Sequence, residues 1–473
     1  MSVPPPPRPR KRPAIYSALA PSHPAQPTLA IELRDIAALK LPPRQLRRHT
    51  PKQLAQIAAS IAEFGFVNPI LVDSANCVVA GVGRLEAAKT MGRRQVPTVC
   101  LSYLSESQIR AYRVADNRLA ELSGWDDELL RLELGDLANL TLDFDLDITG
   151  FDTAALDVLL YDPSSATSPD DTISEPAGPA VSRLGDLWQL GRHRLLCADA
   201  RDLEAYKQLL DGQQAQMVFT DPPYNVQIQG HVSGLGKVQH REFAMASGEM
   251  SEGDFTNFLG KLLDNLAAVS TDGAIQFVCM DWRHMHELLQ AGRTTGLELK
   301  NLCIWNKDNG GMGSFYRSKH ELVFVFKNGS AAHINNFGLG SGGRYRTNVW
   351  DYAGVNSFRH GRNDELGMHP TVKPTALVMD AIKDCSRRGG VILDPFGGSG
   401  TTLIAAERTG RSGHLMEIDP LYVDVILRRW QTCTGDAAVH VETGMTLEEL
   451  TRDRAVPSIC DIDETASLQA VEA

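Results

Sequence analysis

Long apolar runs and paired cysteines are absent from this chain of 473 residues. A membrane-spanning helix needs about 18 or more consecutive apolar residues, and no such run occurs, so we expect no membrane contact. The chain begins with MSVPPPPRPRKRP, which has prolines and basic residues where a secretory signal has an apolar stretch, and this favours a cytoplasmic protein. The eight cysteines are scattered, mostly within apolar runs. They indicate buried small side chains rather than zinc ligands or disulfides, and we expect no metal site.

An overall excess of positive charge is also absent, since the net charge is -11. This balance argues weakly against a nucleic-acid partner, but the charge is unevenly distributed. Residues 1–60 hold ten Lys and Arg against two Asp and Glu, whereas residues 114–176 hold two against sixteen. The first segment can face a polyanion, and the second is best explained as solvated surface.

The length of the chain exceeds that of one ordinary core and predicts two folded units. We expect a disordered, Pro-rich tail over residues 1–30 and a small α+β domain over 31–158. Residues 159–182 are rich in Ser, Pro and Asp without apolar periodicity, which is typical of a linker. A larger domain is predicted over 183–440, and an acidic tail over 441–473.

The larger domain alternates apolar strands with helical patterns. AQMVFT, GGVILD and GHLMEID are examples of the strands, and each is followed by a helical segment. Continuously apolar strands are expected when helices cover both faces of a mostly parallel sheet. The pattern therefore predicts a doubly wound, Rossmann-like α/β domain, whose ligands bind at the carboxyl ends of its strands.

A glycine-rich turn, LDPFGGSGTT, follows one of these strands. Its glycines let a ligand approach the backbone, and the following helix offers free N–H groups. A phosphate-binding P-loop needs a lysine before Thr401, where Gly400 stands, and the dinucleotide pattern G-x-G-x-x-G also fails. Glu417, at the tip of the next strand, can accept hydrogen bonds from ribose hydroxyls. A ligand with an ammonium, a carboxylate and a ribose fits these groups, as S-adenosylmethionine does; a purely structural turn is the alternative.

Another apolar strand ends on DPPY, residues 221–224. DPPY resembles the catalytic motif, and DPFGGSGTT the cofactor motif, of DNA amino-methyltransferases. Because DPPY comes about 170 residues earlier, the order resembles the β-type arrangement of that family. Three further segments resemble the family's motifs: LLCADARD, whose Asp199 would contact the cofactor's adenine; HPTVKP, which would line its methionine side; and WNKDNGGMGSFYRSKHE, which would form the target-base segment.

The resemblance implies roles for individual residues. Asp221 and the Pro222 carbonyl would each accept one N–H of a base's amino group, pushing electron density to its nitrogen. Pro222 and Pro223 would hold the turn rigid, and Tyr224 would stack on a base swung out of the duplex. The cofactor-binding residues implied are Asp199, Ala200, Thr371, Lys373, Asp394, Phe396, Gly397, Gly398, Gly400, Thr401 and Glu417.

The DNA contact is expected chiefly in residues 331–367, which interleave arginines with aromatic residues and have weak secondary-structure patterns. Such a composition suits phosphate contacts and reading of base edges, although an ordinary polar loop is the alternative. β-type enzymes place their target-recognition region there. The predicted DNA-binding residues are Arg317, Arg344, Arg346, Arg359, Arg362 and, in the first domain, Arg84.

The first domain resembles the ParB-like (ParB/sulfiredoxin) superfamily through HTPKQLAQIAASIAEFGFVNPILVD and VVAGVGRLEAAKTMG. In that family a basic residue or histidine usually stands near Val82, so nucleotide hydrolysis and nuclease activity are not expected here. Arg84 keeps a basic side chain that can meet phosphate; a surface helix arginine is the alternative. The domain is interpreted as a DNA-contact or partner module, and its fusion to a methyltransferase resembles phage and prophage modification proteins.

Together these motifs predict methylation of adenine N6 in double-stranded DNA, since Asp221 rather than serine begins DPPY. Cytosine N4 methylation uses the same machinery and is the first alternative. A ParB-like DNA-binding protein with an inactive methyltransferase half is the second, and an RNA or protein methyltransferase is the third. A homodimer and a cognate restriction nuclease stay open as partners.

Overall fold

The computed structural model contains two compact units. Unit 1 takes its residues from Met1–Leu130 and Thr141–Gly150, and unit 2 from Arg131–Leu140 and Phe151–Ala473. The domain boundaries drawn from the sequence stay predictions, and most of the expected tails and linker lies outside the described residues. The structure describes residues 29–140, 142, 144–160, 178–226, 248–308, 316–337, 345–353 and 373–455.

Unit 1 is a small α+β unit built on a four-stranded sheet in the order β1-β4-β2-β3. Its first helix begins where the Thr50 hydroxyl accepts a hydrogen bond from the backbone N–H of Gln53, with Pro51 in the first turn. Ile70, Val78 and Leu85 are fully buried in its core. The elements are β1 (Ile31–Asp35), α1 (Pro51–Phe64), β2 (Ile70–Val72), β3 (Val78–Ala80), α2 (Val82–Thr90), β4 (Gln95–Cys100) and α3 (Glu106–Glu121). A further helix, α4 (Asp127–Asn139), begins in unit 1 and has most of its residues in unit 2.

Unit 2 contains a ten-stranded sheet in the order β11-β9-β10-β8-β7-β12-β13-β6-β5-β14. Strands β8, β7, β12, β13 and β6 are consecutive and parallel. The strands are β5 (Leu187–Leu190), β6 (His193–Cys197), β7 (Ala215–Thr220), β8 (Ser270–Met280), β9 (Glu298–Asn306), β10 (His320–Lys327), β11 (Val349–Asp351), β12 (Val391–Asp394), β13 (Ser412–Glu417) and β14 (Val439–His440).

Helices cover both faces of this sheet, which confirms the predicted doubly wound fold. Val218 of β7 packs with apolar residues of α6, α7 and α8, whereas Met217 and Phe219 pack with those of α9 and α10 on the other face. A helix on each face explains why these strands are apolar throughout. The helices are α5 (Thr153–Leu159), α6 (Leu203–Leu210), α7 (Glu252–Val269), α8 (Met285–Thr294), α9 (Thr375–Cys385), α10 (Thr401–Thr409), α11 (Pro420–Thr434) and α12 (Leu447–Ala455).

Helix α5 is joined to the sheet of unit 2 by a buried ion pair. Two nitrogens of the Arg411 guanidinium, Nη1 and Nη2, lie 2.7 and 2.8 Å from the two carboxylate oxygens of Asp157. Arg411 also donates to the Thr409 carbonyl and to the side chain and carbonyl of Ser386, so all five of its N–H groups have acceptors. Both charged side chains are almost fully buried. The segment just before the expected linker is therefore part of unit 2.

Candidate active site

The carboxyl ends of four adjacent parallel strands bring four acidic residues to one edge of the sheet. Asp221 follows β7, Asp394 ends β12, Glu417 ends β13, and Asp199 comes two residues after β6. These strands are hydrogen-bonded neighbours in that order. The arrangement is the one that a ligand crossing the carboxyl edge of a doubly wound sheet requires.

The Asp221 carboxylate lies at the centre of a partly buried polar network. Its Oδ2 atom accepts a hydrogen bond from the Lys373 ammonium at 2.5 Å, and its Oδ1 atom accepts one from the Tyr224 hydroxyl. Lys373 also donates to the Tyr224 hydroxyl at 3.3 Å and lies 2.9 Å from Oε2 of Glu321. Lys307 forms an ion pair with the other oxygen of Glu321. Two carboxylates and two ammonium groups thus alternate along the network.

Burial and mutual attraction set the charges of this network. Burial raises the pKa of Asp221, and the negative Glu321 adds to the rise, while Lys373 opposes it. Burial alone would raise the pKa of Glu321, but the ammonium groups of Lys373 and Lys307 outweigh it and lower this pKa to about 2. Burial alone would lower the pKa of Lys373, yet the two carboxylates raise it above its usual value. Lys373 is therefore a buried cation over the whole neutral range.

The turn after DPPY is held by an asparagine. Asn225 has a φ of +53°, in the left-handed region that asparagine tolerates better than most residues. Its side chain is buried and accepts hydrogen bonds from the backbone N–H groups of Gly248 and Met250, and it donates to the Met250 carbonyl. Both chain ends that flank residues 227–247 are thereby fixed beside the turn.

Asp394 organises the glycine turn from within. Its Oδ1 atom accepts hydrogen bonds from the Thr220 hydroxyl and the Phe396 N–H, and Oδ2 accepts one from the Thr402 hydroxyl at 2.6 Å. The carboxyl group is buried, and burial raises its pKa to about 7 despite these donors. Its hydrogen bonds connect the ends of β7 and β12 to the start of α10.

The glycines fit a close approach of β12 to β13. A Cβ atom on Gly397 would lie 3.1 Å from the Met416 carbonyl oxygen, and one on Gly400 would lie 3.0 Å from the Ile426 side chain. Gly398, with a φ of +52°, has open space on its Cβ side, where the nearest atom would be a carbonyl oxygen at 4.0 Å. The turn is thus packed against the protein on one side and open on the other.

Glu417 links the glycine turn to the next strand. Its Oε2 atom accepts a hydrogen bond from the Gly398 N–H at 2.8 Å, and Oε1 accepts one from the Asp419 N–H at 2.9 Å. Burial raises the pKa of Glu417 to about 7, and these backbone donors only partly offset the rise. The carboxyl oxygens still have lone pairs that can accept ribose hydroxyls.

The other predicted cofactor residues lie around this edge. Burial alone would raise the pKa of Asp199, but hydrogen bonds from Arg201 lower it overall. Ala200 is buried, and its carbonyl accepts the hydroxyl of Tyr206. Phe396 is partly buried in the core, and Thr401 is buried at the start of α10. Thr371 lies outside the described residues. Lys373 contacts the Asp221 carboxylate instead of the glycine turn.

The predicted DNA-binding arginines occupy different environments. Arg317 is exposed. The Arg346 guanidinium lies within unit 2, bonded to Asp384 at 2.8 Å and to the Tyr352 hydroxyl at 3.1 Å, so it has a structural role in this fold. Arg84 is half-buried, and its Nε atom has no hydrogen-bond acceptor among the described residues. Arg344, Arg359 and Arg362 lie outside the described residues.

Glu321 and Lys307 were missed as site residues by the sequence analysis. Both belong to the segment WNKDNGGMGSFYRSKHE, which was assigned to the target base as a whole. Glu321 is near the start of β10, a strand that the sequence analysis did not predict, although HELVFVFK has the apolar run of a buried strand. Strand β10 runs antiparallel to β8, which brings its first residues to the same edge as Asp221.

The described part of the chain contains neither a cluster of metal ligands nor a membrane-spanning helix. Within it, no group of three or more His, Cys, Asp and Glu side chains is placed to hold a metal ion. No helix there is long and apolar enough to cross a membrane. The seven described cysteines are all free thiols, and Cys460 lies outside the described residues.

Three families of sequences match successive parts of the chain. The ParB N-terminal domain matches residues 22–117, and the ParB-methyltransferase HTH domain matches residues 128–184. The DNA methylase family matches residues 215–428, which contain the Asp221 loop, the glycine turn and Glu417. The matches thus follow the order of the two halves inferred from the motifs.

Individual proteins resemble each half. Type II methyltransferase M.HpaI of Haemophilus parainfluenzae is 24% identical over 252 residues, covering 50% of this chain and 73% of that protein. Type II methyltransferase M.ScaI of Streptomyces caespitosus is 40% identical over 87 residues, covering 18% of this chain and only 29% of that protein. The ParB-like nuclease domain-containing protein YnaK of Escherichia coli (strain K12) is 36% identical over 80 residues, covering 17% of this chain and 92% of that protein.

Proposed function

We propose that this chain transfers a methyl group from S-adenosylmethionine to adenine N6 in specific sequences of double-stranded DNA, because residues 215–428 match the DNA methylase family and residues 22–117 match the ParB N-terminal domain. The observation that carries the proposal is the half-buried Asp221 carboxylate at the strand edge, paired with buried Lys373, two strands from Glu417 and adjacent to the glycine turn. Aspartate at the first position of DPPY favours adenine over cytosine within this family.

The residues at the edge of the sheet suit S-adenosylmethionine. The open side of Gly398 gives it space, Glu417 offers acceptors for ribose hydroxyls, and Asp199 is placed at the end of the next strand, β6. When bound, the cofactor supplies an electrophilic methyl group on a sulfonium centre. Asp394, whose oxygens already accept three hydrogen bonds from the chain, holds the turn in shape.

The DPPY turn activates and then deprotonates the amino group. The Asp221 carboxylate accepts one N–H of the exocyclic amino group, and the Pro222 carbonyl accepts the other, which restores electron density to the nitrogen. Methyl transfer would form the nitrogen–carbon bond, and the electron pair of the broken carbon–sulfur bond would stay on sulfur. The proton that nitrogen then loses passes to Asp221. Tyr224, whose ring is half-buried beside this carboxylate, stacks on the extruded base, an interaction of about 1–3 kcal/mol.

Extrusion of the base requires the protein to hold the surrounding duplex. Arg317, Arg344, Arg359 and Arg362 are proposed to contact DNA phosphates and base edges. Unit 1 is proposed as a second DNA-contact module, with Arg84 as a phosphate contact. The similarity to YnaK supports a ParB-like domain in this part of the chain, but it does not identify what the domain binds.

Cofactor binding is expected to weaken below pH 7. The pKa of Glu417 in the cofactor-free protein is raised to about 7 by burial. Ribose hydroxyls bind the ionised carboxylate better, so binding releases this proton. One linked proton makes the affinity fall by up to about tenfold per pH unit below 7 and leaves it constant above. Isothermal titration with S-adenosylmethionine from pH 5.5 to 8.5 measures this slope.

The matched control for this titration is Glu417→Gln, which keeps the shape of the side chain and cannot ionise. Its affinity is lower than that of the wild type at pH 8. The affinity of this variant for S-adenosylmethionine changes less steeply with pH below 7. Any pH dependence that persists is assigned to Asp394, whose pKa is also raised to about 7. Equal slopes for the wild type and the variant contradict the role given to Glu417.

Transfer to DNA is tested directly with a labelled methyl group. The full chain is incubated with methyl-labelled S-adenosylmethionine and, in parallel, with duplex DNA, structured RNA or protein extract. The proposal expects label in the duplex DNA alone. Label in RNA or protein alone, or none in DNA although the cofactor binds, contradicts the proposed function.

A further inference from the structure

Lys373 is held between two carboxylates that come from distant parts of unit 2. Its side chain is only 5% exposed, and its ammonium lies 2.5 Å from Oδ2 of Asp221 and 2.9 Å from Oε2 of Glu321. A third acceptor, the Tyr224 hydroxyl, lies at 3.3 Å. The rings of Tyr224 and Trp305 lie 5.7 and 5.9 Å from the same ammonium, so aromatic faces complete its surroundings.

We propose that Lys373 and Glu321 are positioning residues of the methyl transfer: Glu321 holds the Lys373 ammonium against Oδ2 of Asp221, which keeps this carboxylate ionised and directs Oδ1 to the target amino group. The inference rests on the proposed function, because it assigns the partners of its central residue. It differs from the expectation that Lys373 binds the cofactor.

Glu321 has the properties that such a positioning residue needs. It sits near the start of β10, where its backbone is paired with Trp305 of β9, and the next residue, Leu322, is paired with Met280 of β8. Lys307 pairs with its Oε1 atom and neutralises it, and Lys307 is itself placed over the Trp305 ring at 4.5 Å. Oε2 accepts no well-aligned hydrogen bond from any described residue, so its attraction for Lys373 is mainly one of charge.

The charges around Asp221 make its ionisation sensitive to both residues. Lys373 is the positive group in contact with it, Glu321 is the nearest negative group that opposes its ionisation, and Asp394 is a further acid close enough to interact with it. The Tyr224 hydroxyl and the Cys279 thiol also face the site, and both stay neutral because burial raises their pKa values. Removal of Lys373 therefore favours protonated Asp221, and removal of Glu321 favours the ionised form.

Position as well as charge depends on this pair. In the structure Oδ1 accepts the Tyr224 hydroxyl and Oδ2 accepts Lys373, so both oxygens have partners. A target amino group can replace only the Tyr224 hydroxyl, because Lys373 is buried and also held by Glu321. The entering base thus meets one defined oxygen of Asp221, and the stacking ring of Tyr224 is released by the same exchange.

The test measures the titration of Asp221 itself, a readout that does not depend on activity. The full chain is labelled with aspartate carrying carbon-13 in the side-chain carboxyl group, and the signal lost in Asp221→Asn identifies Asp221. The pKa of Asp221 is expected to rise in Lys373→Met and to fall in Glu321→Gln. Lys373→Arg keeps the charge and is expected to retain most of the wild-type behaviour. Glu298→Gln, which removes an exposed carboxylate that pairs with Lys300 and Lys327, is the control without effect.

A double-variant cycle on kcat gives the second readout. In the wild-type background Glu321→Gln is expected to lower kcat roughly 10- to 100-fold, with KM values changed little. Lys373 stays paired with Asp221 in this variant, but it is no longer fixed in position, so Oδ1 is less well directed to the amino group. In the Lys373→Met background the same change is expected to raise kcat, because it removes a negative charge near Asp221 that Lys373 no longer offsets. Equal losses in both backgrounds, or an Asp221 titration unchanged by Lys373→Met and Glu321→Gln, overturn the inference.

The two proposals fail in different ways. A wild-type chain that binds S-adenosylmethionine and transfers no methyl group to DNA contradicts the proposed function, whereas the carbon-13 titration still decides whether Lys373 and Glu321 control Asp221. Conversely, if the wild-type protein is active but neither substitution changes the pKa of Asp221, the proposed function stands and the positioning roles of Lys373 and Glu321 are wrong.

Discussion

Replacement of Asp221 by alanine is expected to lower methyl transfer roughly 1,000-fold or more, while the affinity for S-adenosylmethionine changes by less than about twofold. The loss is large because the variant removes the acceptor for an amino N–H and for the proton released during transfer. Cofactor binding survives because the glycine turn and Glu417 lie on neighbouring strands with their own hydrogen bonds. Single-turnover transfer and cofactor titration measure the two quantities on the same protein.

The matched control is Asp281→Ala. Asp281 follows β8, the strand beside β7, but its carboxylate is paired with Arg283 outside the Lys373 network. This variant is expected to keep transfer close to the wild-type rate. Normal methylation by Asp221→Ala, or an equal loss in both variants, contradicts the catalytic assignment.

Replacement of Asp157 by alanine is expected to destabilise unit 2 by about 3–5 kcal/mol, because it leaves Arg411 as a buried cation without its counter-ion. For a unit of this size the midpoint of thermal unfolding falls by roughly 10 °C. Five of the six tryptophans, all except Trp125, lie in unit 2, so tryptophan fluorescence during chemical denaturation reports mainly on that unit.

Two controls separate the buried charge from a general effect of substitution. Asp436→Ala removes an exposed aspartate of the same unit and is expected to change stability by less than about 0.5 kcal/mol. The double variant Asp157→Leu with Arg411→Met replaces the ion pair by apolar side chains and is expected to be more stable than Asp157→Ala. If Asp157→Ala is as stable as the control, α5 is not joined to the sheet through this pair.

The parallel part of the sheet could be predicted from the sequence because its local pattern is unambiguous. Strands β7, β12 and β13 are continuously apolar and each ends at an acid, so the geometry of a parallel sheet brings Asp221, Asp394 and Glu417 to one edge. Only the strand end and its order along the chain are needed for this inference. The site residues that it identifies are those that directly follow a recognisable strand.

The partners of these residues depend on contacts that no local pattern contains. Lys373 and Glu321 are 52 residues apart, and they meet because β10 runs antiparallel beside β8. Arg346 fitted a DNA-binding pattern, yet Asp384 and Tyr352 hold its guanidinium within the fold. A basic residue among aromatics has the same appearance in a sequence whether its partner is a phosphate or a carboxylate from a later helix.

The identity of the methylated nucleoside tests the central claim most directly. Duplex DNA of mixed sequence is methylated by the wild-type chain with labelled S-adenosylmethionine, digested to nucleosides and separated, with Asp221→Ala as the blank. Hydrogen bonds from an exocyclic amino group to Asp221 and Pro222 predict a methylated amino group, and aspartate at the first position of DPPY predicts that the labelled product is N6-methyladenine. Label in N4-methylcytosine would contradict the choice of base, and label in 5-methylcytosine would contradict the amino-group mechanism itself.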